Sequence, residues 1–176
     1  GLAWVNTTTT TAAAIVGWMV VDKIRHGKPT GLGVASAIVG GLVAITPAAG
    51  SLSPLGSIIL GLVVGAACAF AVSLKYKLGL DDSLDVVGVH LVGGLIGTVA
   101  IGFLATDGGL FYGGGARLLL VQVLIAVVAV LFSGIITAVI GLALKATMGW
   151  RITEEDEVSG IDLAEHAETA YEGISR

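Results

Sequence analysis

The chain has 176 residues, of which 55% are hydrophobic and 12% charged, against the roughly 25% charged residues of an ordinary soluble domain. Composition therefore excludes an ordinary soluble domain, and the formal net charge of -4 is a poor guide to partners because the charges are segregated. Acids gather from Glu154 onward while the preceding region is slightly basic, no basic patch suits nucleic acid, and the lone Cys68 supports neither a disulfide framework nor a cysteine metal site.

A membrane-crossing helix needs about 20 mainly apolar residues. Five segments meet this requirement, at residues 2–21, 31–49, 55–74, 86–104 and 118–144. The expected architecture is an all-α integral membrane protein, a polytopic helical bundle over residues 1–147 followed by an acidic tail over 148–176. The 27 glycines are scattered through the apolar runs, the pattern of closely packed membrane helices.

The first segment starts at Gly1 and Trp4 with no basic stretch ahead of it, unlike a signal peptide, and is read as a truncated start. Asn6 and Thr7 to Thr11 make it polar in one stretch. Threonine hydroxyls can bond back to the preceding turn, so interhelical packing is weighed ahead of pore lining. Lys23, Arg25 and Lys28 follow it, with His26 read as a solvated loop residue. In the second segment Pro47 is expected to end or kink the helix. Lys75 and Lys77 follow the third segment, and Lys145 and Arg151 the fifth. The opposite loops are nearly free of cations. The positive-inside rule then places Gly1 outside and the tail in the cytoplasm.

The fourth segment carries His90 within Asp85-Val-Val-Gly-Val-His90-Leu-Val-Gly-Gly-Leu-Ile-Gly97. An ionisable side chain at membrane depth is a functional-site candidate, weighed against a structural histidine bonded to a neighbouring helix. A 3.6-residue wheel puts Val86, His90, Gly94 and Gly97 on one face, which points the imidazole into the protein. Imidazole both donates and accepts a hydrogen bond and titrates near neutrality, which suits a path for a small weak base. Asp81, Asp82 and Asp85 precede the helix, and capping is the leading role for each. In the tail, Asp162 and Glu165 fit a capping box ahead of Ala164, Ala167 and Tyr171, giving a short helix that needs a docking surface.

Five stretches together resemble the ammonium transporters of the Amt, Mep and Rh superfamily. They are Trp4-Val-Asn-Thr-Thr, His26-Gly-Lys-Pro-Thr, Gly41-Leu-Val-Ala-Ile-Thr-Pro-Ala-Ala-Gly50, the run from Gly79 to His90, and Gly160-Ile-Asp-Leu-Ala-Glu-His166 ending in Ala170-Tyr171. The resemblance implies an eleven-helix inverted-repeat transporter assembled as a homotrimer in the cell membrane, of which this chain is helices seven to eleven plus the tail. His90 matches the second of two pore histidines, Val86 and Ile45 match apolar pore-lining positions, and Asp82 and Asp85 support the pore helix. The first histidine and the external aromatic site belong to the other half, without which this polypeptide is not expected to conduct.

Ammonium or ammonia is the implied substrate and membrane lipid the surroundings. No cofactor, metal or catalytic residue is implied. Gly160, Asp162, His166 and Tyr171 match a regulatory tail, with a PII-type signalling protein as a possible partner at the cytoplasmic face, and Ala164 stands where some plant members carry a phosphorylatable threonine. The competing reading is a non-transporting membrane sensor or scaffold acting through its tail. An intramembrane enzyme is the weakest alternative, since no nucleophile is paired with a base near His90.

Overall fold

A computed structural model describes residues 1–169. Among these residues the elements are helical, in the order α1 (Leu2–His26), α2 (Gly31–Ile45), α3 (Pro54–Ala71), α4 (Leu74–Leu78), a π turn (Val86–Leu91) running into α5 (Val92–Leu104), a 3-10 turn (Leu110–Tyr112), α6 (Arg117–Thr147), α7 (Glu154–Ser159) and α8 (Ile161–His166). Two compact units divide the chain within α6, the first covering Gly1–Val130 and the second starting at Leu131.

Three helical stretches among the described residues are long and apolar enough to cross a membrane: Pro54–Leu78, Val86–Leu104 and Arg117–Thr147. The other two expected spans differ. At about 1.5 Å per residue, the 15 residues of α2 fall short of a hydrocarbon core about 30 Å thick. The run 31–49 breaks at Pro47, where Thr46 closes the helix and its hydroxyl donates to the Leu42 carbonyl at 2.7 Å. By contrast α1 continues to His26 and has 25 residues, ample length but with the Asn-Thr run and Asp22 inside it.

The first unit is built on α1 against α3, with α2 and α5 packed alongside. Its core contains Ala14, Trp18, Ala37, Ala44, Ile45 and Leu60, so small residues are frequent among the large ones. The reason is close backbone approach. A Cβ on Gly65 would collide with the Ala14 carbonyl, one on Gly61 with the Thr10 carbonyl, and one on Gly17 with the Leu62 carbonyl. Gly97 of α5 meets the Ala44 carbonyl of α2 in the same way.

The polar run of α1 is used for packing on one side. Asn6 and Thr10 are fully buried; the Asn6 amide donates to the carbonyls of Ala49 and Leu52 at 2.9 and 2.6 Å, and Thr10 donates to the Ser57 carbonyl at 2.9 Å. Thr9 and Ser57 share a hydrogen bond at 2.6 Å. Thr7, Thr8 and Thr11 instead line an open groove with Trp4, Ala12 and Leu42. At the lysine-bearing end, Asp22 is buried and accepts from the Thr30 amide and hydroxyl at 3.3 and 3.1 Å. Thr30 in turn caps α2 through the Gly33 amide at 2.9 Å, and His26 stands 3.6 Å from Asp22.

In the second unit, Thr153 caps α7 by accepting from the Asp156 amide at 3.2 Å. Helix α8 follows Gly160 and has no side-chain cap. Asp162 therefore lies in the first turn of α8 and is not its cap, which corrects the capping-box expectation. Helix α8 ends at His166, and Ala167 is left-handed, so the helical stripe does not run on through Ala167. Tyr171 lies outside the described residues.

Candidate functional site at the start of α5

The site begins in a loop that acids and one lysine hold in place. Asp82 accepts from the Val86 amide through Oδ1 at 2.7 Å and from the Val87 amide through Oδ2 at 2.9 Å. Two of the orphan donors of the first turn are thereby satisfied, which fits the capping role expected of Asp82. Asp85 occupies the N-cap position with φ 57° and ψ 33°, a left-handed conformation in which aspartate is among the better tolerated non-glycine residues. Its carbonyl accepts from the Val89 amide at 2.8 Å, and its carboxylate Oδ1 forms an ion pair with Lys75 Nζ at 2.7 Å. Lys75 also donates to the Asp82 carbonyl at 2.9 Å.

The helix then opens with a π turn. The Val92 amide reaches the Val87 carbonyl, five residues back, so each residue advances less around the axis than in an α-helix. The straight wheel over Val86, His90, Gly94 and Gly97 is therefore broken within Val86–Leu91. Gly93 and Gly97 are buried against α2, Gly88 is buried against Val72, and Gly94 is half-buried. Val86 and His90 are exposed. The imidazole thus stands on the face of the helix that this chain leaves open, apart from the α2 side against which Gly93 and Gly97 pack.

Val86 and His90 are brought together, one turn apart on the open side. Ile45 is not. At 1% exposure it is a core residue, enclosed with Ala44, Ala48 and Leu52. Gly160, Asp162 and His166 lie in α8 and its approach, within the second unit. Among the described residues no group of three or more His, Cys, Asp or Glu is placed to hold a metal ion.

Sequence reasoning uses Lys75 only as an orientation signal and passes over Asp22. The available signals are spacing signals. Lys75 precedes Asp82 and Asp85 by one short loop, and Asp22 stands four residues before His26 and eight before Thr30.

A sequence model described as the Ammonium Transporter Family matches residues 1–171. An ammonium transporter of Mycobacterium tuberculosis is 51% identical over 98% of this chain and 39% of its own length. One of Bacillus subtilis is 44% identical over 97% of this chain and 44% of its own length. Among solved structures, a sensor Amt protein superposes with a TM-score of 0.85 at 30% identity, covering 94% of this chain and 42% of that one. Mep2 of Saccharomyces cerevisiae gives 0.76 at 31% identity, covering 88% and 37%. The chain thus spans less than half the length of these relatives, of which the Mycobacterium tuberculosis and Bacillus subtilis proteins are named transporters and not enzymes. With its long apolar helices it is a multi-pass membrane protein, and it belongs to the ammonium transporter family.

Proposed function

We propose that the complete protein conducts ammonium or ammonia across a membrane along a narrow apolar path that passes Val86 and His90. The observation that carries this reading is the position of His90, an imidazole exposed on an otherwise apolar helix, with the exposed Val86 one turn away. An apolar constriction penalises a hydrated cation, while the two ring nitrogens offer one donor and one acceptor to a nitrogen base. A proton released from ammonium can be held or relayed there, and Na+ and K+ have no proton to release. Ile45 is a core residue enclosed with Ala44, Ala48 and Leu52 and is not counted among the walls of this path.

In this reading the region that the longer relatives have beyond this chain covers the open face of α5, and the complete protein assembles as a homotrimer surrounded by lipid. The lysine-bearing loops face the cytoplasm, Gly1 lies outside, and residues 148–176 form a regulatory tail offered to a PII-type protein through Gly160, Asp162, His166 and Tyr171. A second reading, a membrane sensor acting through that tail, is favoured by the similarity to a protein titled a sensor Amt protein.

Reconstituting the complete protein into liposomes separates the two. Conduction predicts that an inward ammonium gradient drives uptake well above that of empty liposomes and that the uptake persists after truncation at Gly160. Folded protein that leaves uptake at the background level would refute the transporter reading in favour of the sensor.

A further inference from the structure

Lys75 does more than mark the charged end of a helix. It is half-buried, unlike Lys77 two residues on, which is exposed. Its main-chain carbonyl accepts from the amides of Gly79 and Leu80, the latter at 3.0 Å. Its ammonium group reaches across the loop to two further points, the Asp82 carbonyl at 2.9 Å and the Asp85 carboxylate at 2.7 Å. One residue therefore ties both ends of the loop from Gly79 to Asp85.

The two aspartates it holds are the ones that shape the π turn. Asp82 spends both carboxylate oxygens on the amides of Val86 and Val87, and Asp85 is held left-handed at φ 57°. A left-handed non-glycine residue followed by a π turn is a costly backbone path. Such a path persists only where neighbouring contacts over-determine it. Here the contacts at Asp82 and Asp85 both lead to one ammonium group. If the turn relaxed to regular α-helix, the residues following it would be displaced by up to about 100° around the axis relative to those preceding it, and His90, inside the turn, would change its angle relative to Gly93 and Gly97.

We infer that Lys75 is a positioning residue for His90: by clamping Asp85 and the Asp82 carbonyl it sets the register of the π turn and hence the side of the helix on which the imidazole stands. This rests on the reading of His90 as a group on the conduction path. Lys75 itself touches no substrate.

The test uses the complete protein in liposomes, with ammonium-driven current and the ratio of K+ to ammonium current as paired readouts. Lys75→Met keeps the aliphatic stem and removes the charge. It is expected to lower the ammonium current about tenfold or more, since misplacing a reacting group by about 1 Å can cost up to about a hundredfold, and to raise the K+ ratio. Lys75→Arg, which can still bridge both oxygens, is expected to retain most of the current. Lys77→Met removes the same charge from the same short helix and is expected to change neither readout. Should Lys75→Met fail to fold, Asp85→Asn removes the ionic partner at nearly constant shape and carries the same expectation.

Normal current and selectivity in Lys75→Met, or in Asp85→Asn in its place, with His90→Leu inactive, would overturn the positioning role and leave the reading of His90 standing. Normal transport by His90→Leu would overturn both. An equal loss in Lys77→Met would overturn the clamp by showing that net charge alone matters.

Discussion

At Gly65 the backbone of α3 approaches the Ala14 carbonyl of α1 so closely that a Cβ has no room. Gly94, in the Gly93-Gly94 pair of α5, is different, for a Cβ there would meet Val43 at an ordinary 3.9 Å. Gly65→Val is therefore expected to cost about 3 kcal/mol or more through overpacking, whereas Gly94→Ala is expected to be neutral or slightly stabilising, because alanine is the better helix former by about 1 kcal/mol. Thermal unfolding of the complete protein in detergent checks the pair, and equal Tm values for the two variants would contradict this picture of the packing. The glycines are legible in the sequence as packing residues, and Gly17, Gly61, Gly65 and Gly97 behave so. Gly31 and Gly134 meet nothing within 4 Å among the described residues. The side on which His90 stands is not legible, because a helical wheel assumes a constant turn and the π turn at Val86–Leu91 breaks it.

Helix positions follow from apolar length, but helix ends follow from local hydrogen bonds that apolar length does not encode. Pro47 signals the stop of α2, whereas the extension of α1 to His26 passes through charged residues that a hydropathy reading assigns to a loop. In the tail there are two caps to distinguish, the one the structure shows at Thr153 and Asp156 and the one expected at Asp162 and Glu165. The first forms: Thr153 Oγ1 accepts from the Asp156 amide at 3.2 Å and donates to its carboxylate at 2.7 Å. The second does not, because Gly160 at φ 112° already opens α8 ahead of it. Thr153→Ala is expected to cost α7 about 1 kcal/mol. Hydrogen exchange at the Asp156 amide should then rise roughly fivefold with the unfolding temperature of the membrane helices unchanged. Unaltered exchange at Asp156 would show that the Thr153 cap does not stabilise α7.

Across the whole molecule, the chain leaves large apolar side chains uncovered on helices long enough to cross a membrane, among them Leu124, Leu131, Phe132 and Ile135 of α6. Surface of this kind calls for lipid or further protein, and the family relatives are more than twice as long as this chain. The family and the helical class are legible because five motifs recur in order along one chain. What faces the open side of α5 is not, since the chain spans less than half the length of its relatives. The central claim is that this open side, with His90 on it, lines the conduction path. The most direct test is the ammonium-driven current of His90→Leu in the complete protein reconstituted in liposomes, a change that keeps bulk and removes both ring nitrogens. A fall of at least about tenfold is expected, in keeping with the loss of a proton-transferring group, with expression and assembly intact. Wild-type current with wild-type selection against K+ in that variant would make His90 a structural histidine and contradict the claim.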